Sequence, residues 1–305
     1  MRPGDPLVIS CALTGGMTVP SQSAAIPVTV AEIVEAGVRA HEAGAAVLHV
    51  HVREPATGRP VADIDLFRKV IDSIRSQTDA IIQLTTGGAA GMSFDDRARV
   101  IPELKPEMAT LNLGSINFAI HRVLRNESIQ FAEWERQFLA GTKDNVFRNS
   151  FAEMERMCGL FRENGVTPEF EAYDVGHLYN LSYLLDEGLV TLPLHIQFVL
   201  GVLGGNAATL TQLLHMRATS AELFGDRFTW SVAGVGYPGE FQLAAAAMVT
   251  GGHVRVGLED NLRITAAERA ESNAALVEKA AQLSSLLDRV PASPRLAREL
   301  LNMKS

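Results

Sequence analysis

Cysteine is nearly missing from this sequence: Cys11 and Cys158 are the only two among 305 residues. Two thiols cannot make a disulfide framework, so a reducing compartment is expected, with both side chains serving as small core residues. A long apolar run is missing too. No stretch approaches the roughly 20 residues of a membrane-spanning helix, and the opening Met-Arg-Pro-Gly-Asp-Pro lacks the apolar segment of a secretion signal. These features lead us to expect a cytoplasmic protein. Positive charge is in deficit, with 27 Lys and Arg against 35 Asp and Glu and a formal net charge of −8. A broad basic surface for nucleic acid is thereby excluded, and an anionic ligand must be met by local cations. There is no fixed-period repeat, low-complexity tract or linker. The first turn after a strand reads Thr14-Gly15-Gly16, without the Gly-x-Gly-x-x-Gly that marks a dinucleotide-binding turn.

What is present is an alternation. Hydrophobic residues make up 47% and charged residues 20% of the chain, an ordinary globular balance. Short apolar, β-rich runs occur at 7–13, 46–52, 80–85, 108–113, 167–173, 194–200, 228–235 and 253–258. Helical spacing of apolar residues fills 30–43, 64–76, 147–164, 177–186, 207–223, 241–249 and 266–288. Eight strands in strand-then-helix order, several of them continuously apolar, point to a parallel sheet buried on both faces. A closed (β/α)8 TIM barrel, one α/β domain over residues 1–305, accounts for eight such units better than an open sheet does. The segment 114–149 is long for a connection and is expected to carry extra helix or to cross the barrel mouth. In such barrels the chemistry sits at the C-terminal ends of the strands.

The sharpest feature at such an end is His49-Val50-His51-Val52-Arg53-Glu54. Residues i and i+2 of a strand share a face, so both imidazoles can reach one ion. A catalytic zinc site takes three protein ligands and keeps a fourth position open. Two satisfied core histidines are the plainer alternative, although buried imidazoles facing one way need partners in any case. A third ligand should come from another strand end, and Glu259 in Gly257-Leu258-Glu259-Asp260-Asn261 is the candidate. Asp260, facing the other way, would then be free as a base, with Arg255 four residues before Glu259 on the barrel-facing side. A helix N-cap at Asp260 competes with this reading, and the residues alone leave both open. Three more strand ends are polar: Gln83-Leu84-Thr85-Thr86-Gly87-Gly88, Thr110-Leu111-Asn112 and Glu169-Phe170-Glu171-Ala172-Tyr173. Together they would surround a mouth suited to a small polar acid. His195 fits a core or a functional role equally. His253, at the start of its strand, reads as structural, and His41, His121, His177 and His215 read as surface residues.

These motifs resemble, in order and over nearly the whole chain, those of the β-keto acid cleavage enzymes, whose type member cleaves 3-keto-5-aminohexanoate. The similarity rests on Ala12-Leu13-Thr14-Gly15, the His49–Glu54 motif, Thr85-Thr86-Gly87-Gly88, the stretch from Lys105 to Asn112, the stretch from Leu194 to Gly201, and Met248 to His253 running on to Glu259-Asp260-Asn261. The resemblance implies a (β/α)8 barrel with one zinc ion at His49, His51 and Glu259. It also implies a reaction of a β-keto acid with acetyl-CoA that gives acetoacetate and a new acyl-CoA. Asp260 and Arg255 match the family's catalytic acid and its arginine, and Glu171 matches a second active-site carboxylate. Thr85, Gly88, Thr110 and Asn112 match the groups that hold the substrate's carboxylate and keto end. A homo-oligomer, a tetramer, is implied as well. One position departs: where the type member has a glutamate for the substrate's amino group, this chain has Met17, so an uncharged side group is expected.

Two other classes compete. A metal-dependent hydrolase of the amidohydrolase type also uses His-x-His on a strand, but it wants further histidines on the middle strands, and Phe170-Glu171-Ala172-Tyr173 offers none. A non-catalytic metal-binding barrel leaves Asp260 and Arg255 without a task.

Overall fold

The computed structural model describes residues 4–89 and 91–303. Eight parallel strands close into a barrel in chain order: β1 Ile9–Ala12, β2 Val47–Val50, β3 Ile81–Leu84, β4 Met108–Asn112, β5 Thr167–Ala172, β6 Leu194–Leu200, β7 Phe228–Gly234 and β8 His253–Val256. Each lies inside one of the runs expected from sequence. Closure comes from β8 beside β1, with Val254, Arg255 and Val256 opposite Ile9, Ser10 and Cys11. The second run does not continue as barrel strand. Val52–Arg53 instead forms a small antiparallel pair with Pro60–Val61 outside the barrel.

The helices begin where short polar side chains can accept from the first-turn amides. Thr29, Asp63, Ser150, Thr209 and Ser272 do so for Val30–Glu42, Ile64–Arg75, Phe151–Asn164, Leu210–Phe224 and Asn273–Leu286. Three helical expectations shift with these caps: the helices start at Phe151 rather than 147, at Leu210 rather than 207, and at Asn273 rather than 266. The short helices Phe94–Ala98 and Val100–Leu104 were not foreseen. Their apolar positions are too few to set a period. Within 114–149 lies the helix Glu133–Gly141, as expected of that long segment.

Strand alternation sorts the interior. Leu48, Val50, Ile82, Leu84, Leu111, Phe170, Ile196, Phe198, Val254 and Val256 point outward into the main core shared with the helices. The residues between them point into the lumen. At its floor these are Val8, Val47, Ile81 and Met108, packed with Ala297 and Leu301 from the C-terminal segment. That segment, with its helix Pro294–Leu300, plugs the floor. Higher in the lumen the inward residues become polar, and ligands can reach them only through the mouth.

Candidate active site at the barrel mouth

The end of β2 turns His49 and His51 the same way, with ring centroids 5.1 Å apart. Gln83 Oε1 on β3 lies 2.7 Å from His49 Nδ1. With the proton on Nδ1 donated there, Nε2 presents its lone pair to the mouth. Both histidines are buried. Desolvation, the largest influence, holds His49 below the usual imidazole range and pushes His51 down to about 3 despite the attraction of Glu259. These are neutral imidazoles, the form that binds metals. His49 Nε2 and His51 Nε2 each stand 3.6 Å from one oxygen of Glu259. Ligand atoms of the three residues all lie within 4.8 Å of one another. Oε2 of Glu259 is buried with no hydrogen-bond partner. Two lone pairs and an orphaned carboxylate oxygen gathered in this way could hold a metal ion, and the N,N,O donor set suits zinc.

Glu259 reaches this point because β8 ends at Val256 and a tight turn follows. Gly257 has φ +147°, and a Cβ there would stand 2.2 Å from Ala12 O. Glu240 steadies the turn by accepting from Gly257 N–H at 3.1 Å and from Asn261 Nδ2 at 2.8 Å. Asp260 lies within this turn and caps no helix; the next one starts at Asn273 with Ser272 as its cap. The first-strand loop fits against the turn just as closely. A Cβ on Gly15 would sit 2.6 Å from Glu259 Cγ, and one on Gly16 would sit 2.1 Å from Gly88 O.

Arg255 is the hub behind Glu259. It donates to Asp260 through Nε at 2.8 Å and Nη2 at 3.0 Å, to Glu259 through Nη2 at 2.8 Å, and to Glu171 through Nη1 at 3.3 Å. Glu259 and Asp260 therefore do not face opposite ways, as strand alternation would have it; they sit in a turn and one guanidinium grips both. Burial pushes Glu259 up, but the Arg255 guanidinium outweighs it, and the carboxyl is lowered to about 2. Burial, with a contribution from Glu259, raises Asp260 to about 6 against the pull of Arg255. Burial raises Glu171 to about 8, again against Arg255, with Glu169 and Glu259 adding to the rise. Tyr173 donates its hydroxyl to Glu171 at 3.2 Å. Below them Glu169 pairs with His195 at 3.3 Å and accepts from Gln197 Nε2 at 2.5 Å. His195 thus has its partners inside the lumen.

A cavity of about 360 Å³ opens over this arrangement. Met17, His49, His51, Thr85, Gly88, Glu171 and Glu259 line it, while Arg255 and Asp260 stand behind the wall. Thr110 is committed to the backbone: its hydroxyl accepts from Thr86 N–H at 3.0 Å and its carbonyl from the Thr86 hydroxyl at 2.6 Å. Asn112 is buried beside Gly87, with both polar side-chain atoms unpartnered. Two arginines were missed in the sequence reading. Arg53 is fully buried and holds the 14–18 loop through Thr14, Gly15 and Thr18. Arg97 lines the cavity and ties Thr86 O to Asn149 and Arg148. Arg53 did lie within a quoted motif, next to the ligand histidines; for Arg97 nothing in the spacing gave a signal.

A closed eight-stranded parallel barrel with polar residues converging at its mouth defines a TIM-barrel enzyme. More narrowly, this chain belongs to the beta-keto acid cleavage enzyme family, whose model matches residues 6–303. It is 40% identical over 298 residues to 3,5-dioxohexanoate:acetyl-CoA acetone transferase of Paraburkholderia graminis, covering 98% of this chain and 96% of that one. It is 38% identical over 301 residues to the 3-keto-5-aminohexanoate cleavage enzyme of Fusobacterium nucleatum, covering 98% of each. Among solved structures, apo ObcA superposes with a TM-score of 0.73 at 18% identity, over 92% of this chain and 66% of that one. That likeness concerns the fold alone. No helix among the described residues is long and apolar enough to cross a membrane.

Proposed function

We propose that this chain, as one catalytic domain over residues 1–305, takes a β-keto acid and acetyl-CoA and returns acetoacetate and a new acyl-CoA. One zinc ion is held by His49, His51 and Glu259. The observation that carries the reading is the Glu259 carboxylate deep in the cavity, whose buried, unpartnered Oε2 stands 3.6 Å from His49 Nε2 while its Oε1 stands 3.6 Å from His51 Nε2. The names of the two relatives support the acetyl-CoA and keto acid chemistry. Zinc would act as a Lewis acid toward the substrate's keto and carboxylate oxygens. Thr85, the Gly88 backbone and the free amide of Asn112 hold the carboxylate and keto end, and Thr110 fixes Thr86 from behind. The α-proton is assigned to Asp260, which Arg255 holds through both carboxylate oxygens just behind the cavity wall. The α-carbon then bonds to the thioester carbonyl and the CoA thiolate departs. The thiolate returns to the original keto carbon, the bond between that carbon and the α-carbon breaks, and the proton goes back to the α-carbon. Glu171, on the cavity and shared through Arg255, is the second proton-handling carboxylate.

Met17 on the cavity wall favours an uncharged side group, as does the oxo-substituted acid named for the Paraburkholderia relative. A cytoplasmic homotetramer completes the reading. The test is to supply the zinc-replete protein with a panel of β-keto acids and acetyl-CoA while following acetoacetate. Formation that needs both substrates and stops on chelation is expected. No acetoacetate from any member of the panel would overturn the proposal.

A further inference from the structure

We infer that the outer half of the cavity seats the pantetheine arm of the thioester, with Arg148 and Arg156 at its rim meeting the phosphates of the coenzyme. This rests on the reaction proposed above, which brings two substrates to one carbon. The plugged floor leaves the mouth as their common entry. The inner half of the cavity, with the His-His-Glu cluster, Glu171 and Met17, is taken up by the keto acid.

The outer half has a different character. Its wall is Met92 and Phe94 on one side and Val146 and Phe147 on the other, and Val146 is 58% exposed at the entry. An apolar wall open to solvent suits a long, flexible, weakly polar arm better than a compact dianion. Arg97 lies along this wall with its guanidinium carbon 5.2 Å from the centre of the Phe147 ring. Its recorded hydrogen bonds go to uncharged acceptors, Thr86 O, Asn149 Oδ1 and Arg148 O. Among the described residues no carboxylate comes within 4.0 Å of it, so the wall keeps a cation able to attract the arm's amide carbonyls.

Arg148 lines the cavity together with its partner Glu153, 3.3 Å away, and Arg156 stands next to the lining residue Phe94, paired with Asp95 at 2.7 Å. The Arg156 guanidinium also covers the Phe94 ring at 4.8 Å. The two arginine side chains are 73% and 60% exposed. The Arg156–Asp95 pair is exposed on both sides and weak, and Arg148 keeps most of its side chain in water although Glu153 beside it is only 17% exposed; a phosphate can engage either guanidinium through two parallel hydrogen bonds. On a chain of net charge −8, such local cations are what an anionic cofactor tail requires.

The test compares the wild type with an Arg148→Ala/Arg156→Ala double variant, using acetyl-CoA and the acetyl thioester of N-acetylcysteamine. The short thioester keeps the reacting end and lacks the phosphates. The variant should raise KM for acetyl-CoA about tenfold, while KM for the keto acid and kcat/KM for the short thioester change less than about twofold. An unaltered KM for acetyl-CoA, or an equal loss with the short thioester, overturns the inference. A wild type that makes no acetoacetate fails the reaction reading instead. Calorimetric titration of both proteins with CoA then still decides the rim assignment: equal affinities reject it, and about tenfold weaker binding by the variant upholds it.

Discussion

The mouth and the floor of the barrel are lined by the same strands, and they treat buried histidine differently. At the floor, His253 Nδ1 accepts the Val8 N–H at 3.1 Å, and apolar side chains close around the strand starts. At the mouth, His49 and His51 turn toward a carboxylate that cannot satisfy them, and one oxygen of that carboxylate has no partner. The residue type and the degree of burial are alike. What differs is whether the protein itself supplies the partner. A buried imidazole with a backbone N–H opposite it is finished structure, whereas two imidazoles and an unpartnered carboxylate oxygen form a group that could hold a cation.

The most direct way to break this contrast is to remove the mouth pair. His49→Ala/His51→Ala should lose its zinc almost entirely by elemental analysis, and acetoacetate formation with it, while His253→Ala keeps a full complement. Retained metal in the double variant would reject the ligand assignment. A smaller effect separates ligand from base. Asp260→Asn should hold its zinc and lower kcat by about 10²-fold or more, the usual scale for a general base; if the metal departs instead, the roles of Glu259 and Asp260 are exchanged. Smaller again is the change at Met17. The wild type should favour an uncharged alkyl β-keto acid over the 5-amino acid by about tenfold in kcat/KM, and Met17→Glu should narrow or invert that ratio. A wild type that prefers the amino substrate would refute the reading of Met17.

The floor should respond in stability and not in turnover. His253→Ala leaves the Val8 N–H buried without a partner, at a cost of about 1–3 kcal/mol in denaturant unfolding. Burial, helped by His195 and Arg289, holds His253 down to about 3, against about 6.5 in an unfolded chain. Below the unfolded value the unfolded chain binds the extra proton, so the stability contributed by the neutral ring is full above about pH 6.5 and is lost as pH falls toward about 3. The variant should show a shallower acid limb across that window; an identical limb would mean the ring is not held neutral.

Much of this was legible in the sequence because period-two patterning survives even where every strand residue is buried. Thr110 with Asn112, Glu169 with Glu171 and His49 with His51 all proved to be lumen-facing pairs. His253 was rightly read as structural from its place at the strand start. His177 was expected at the surface and is buried instead, accepting from Tyr173 N–H at 3.2 Å; a helix's first turn packed against the neighbouring strand end is a tertiary event that local spacing does not announce. The relation of Glu259 to Asp260 was misjudged for a similar reason. Alternation applies to extended backbone, and the chain leaves it at Gly257, where only a glycine tolerates the approach to Ala12. Arg97 sits on a helix too short for a hydrophobic period, and its task depends on 147–149, some fifty positions along the chain.

Arg53 has a consequence for how this enzyme could change its diet. Its guanidinium takes the carbonyls of Thr14, Gly15 and Thr18, together with the hydroxyls of Thr14 and Thr18, and so fixes the backbone on both sides of Met17. The side chain at 17 projects from a frame that it does not help to hold. Exchanging that one residue alters what the cavity wall offers a substrate and leaves the loop's path, the glycine contacts with Glu259 and the imidazole pair where they were. On the proposed reading of Met17, selection could sample new side groups one codon at a time, without rebuilding the chemistry beneath.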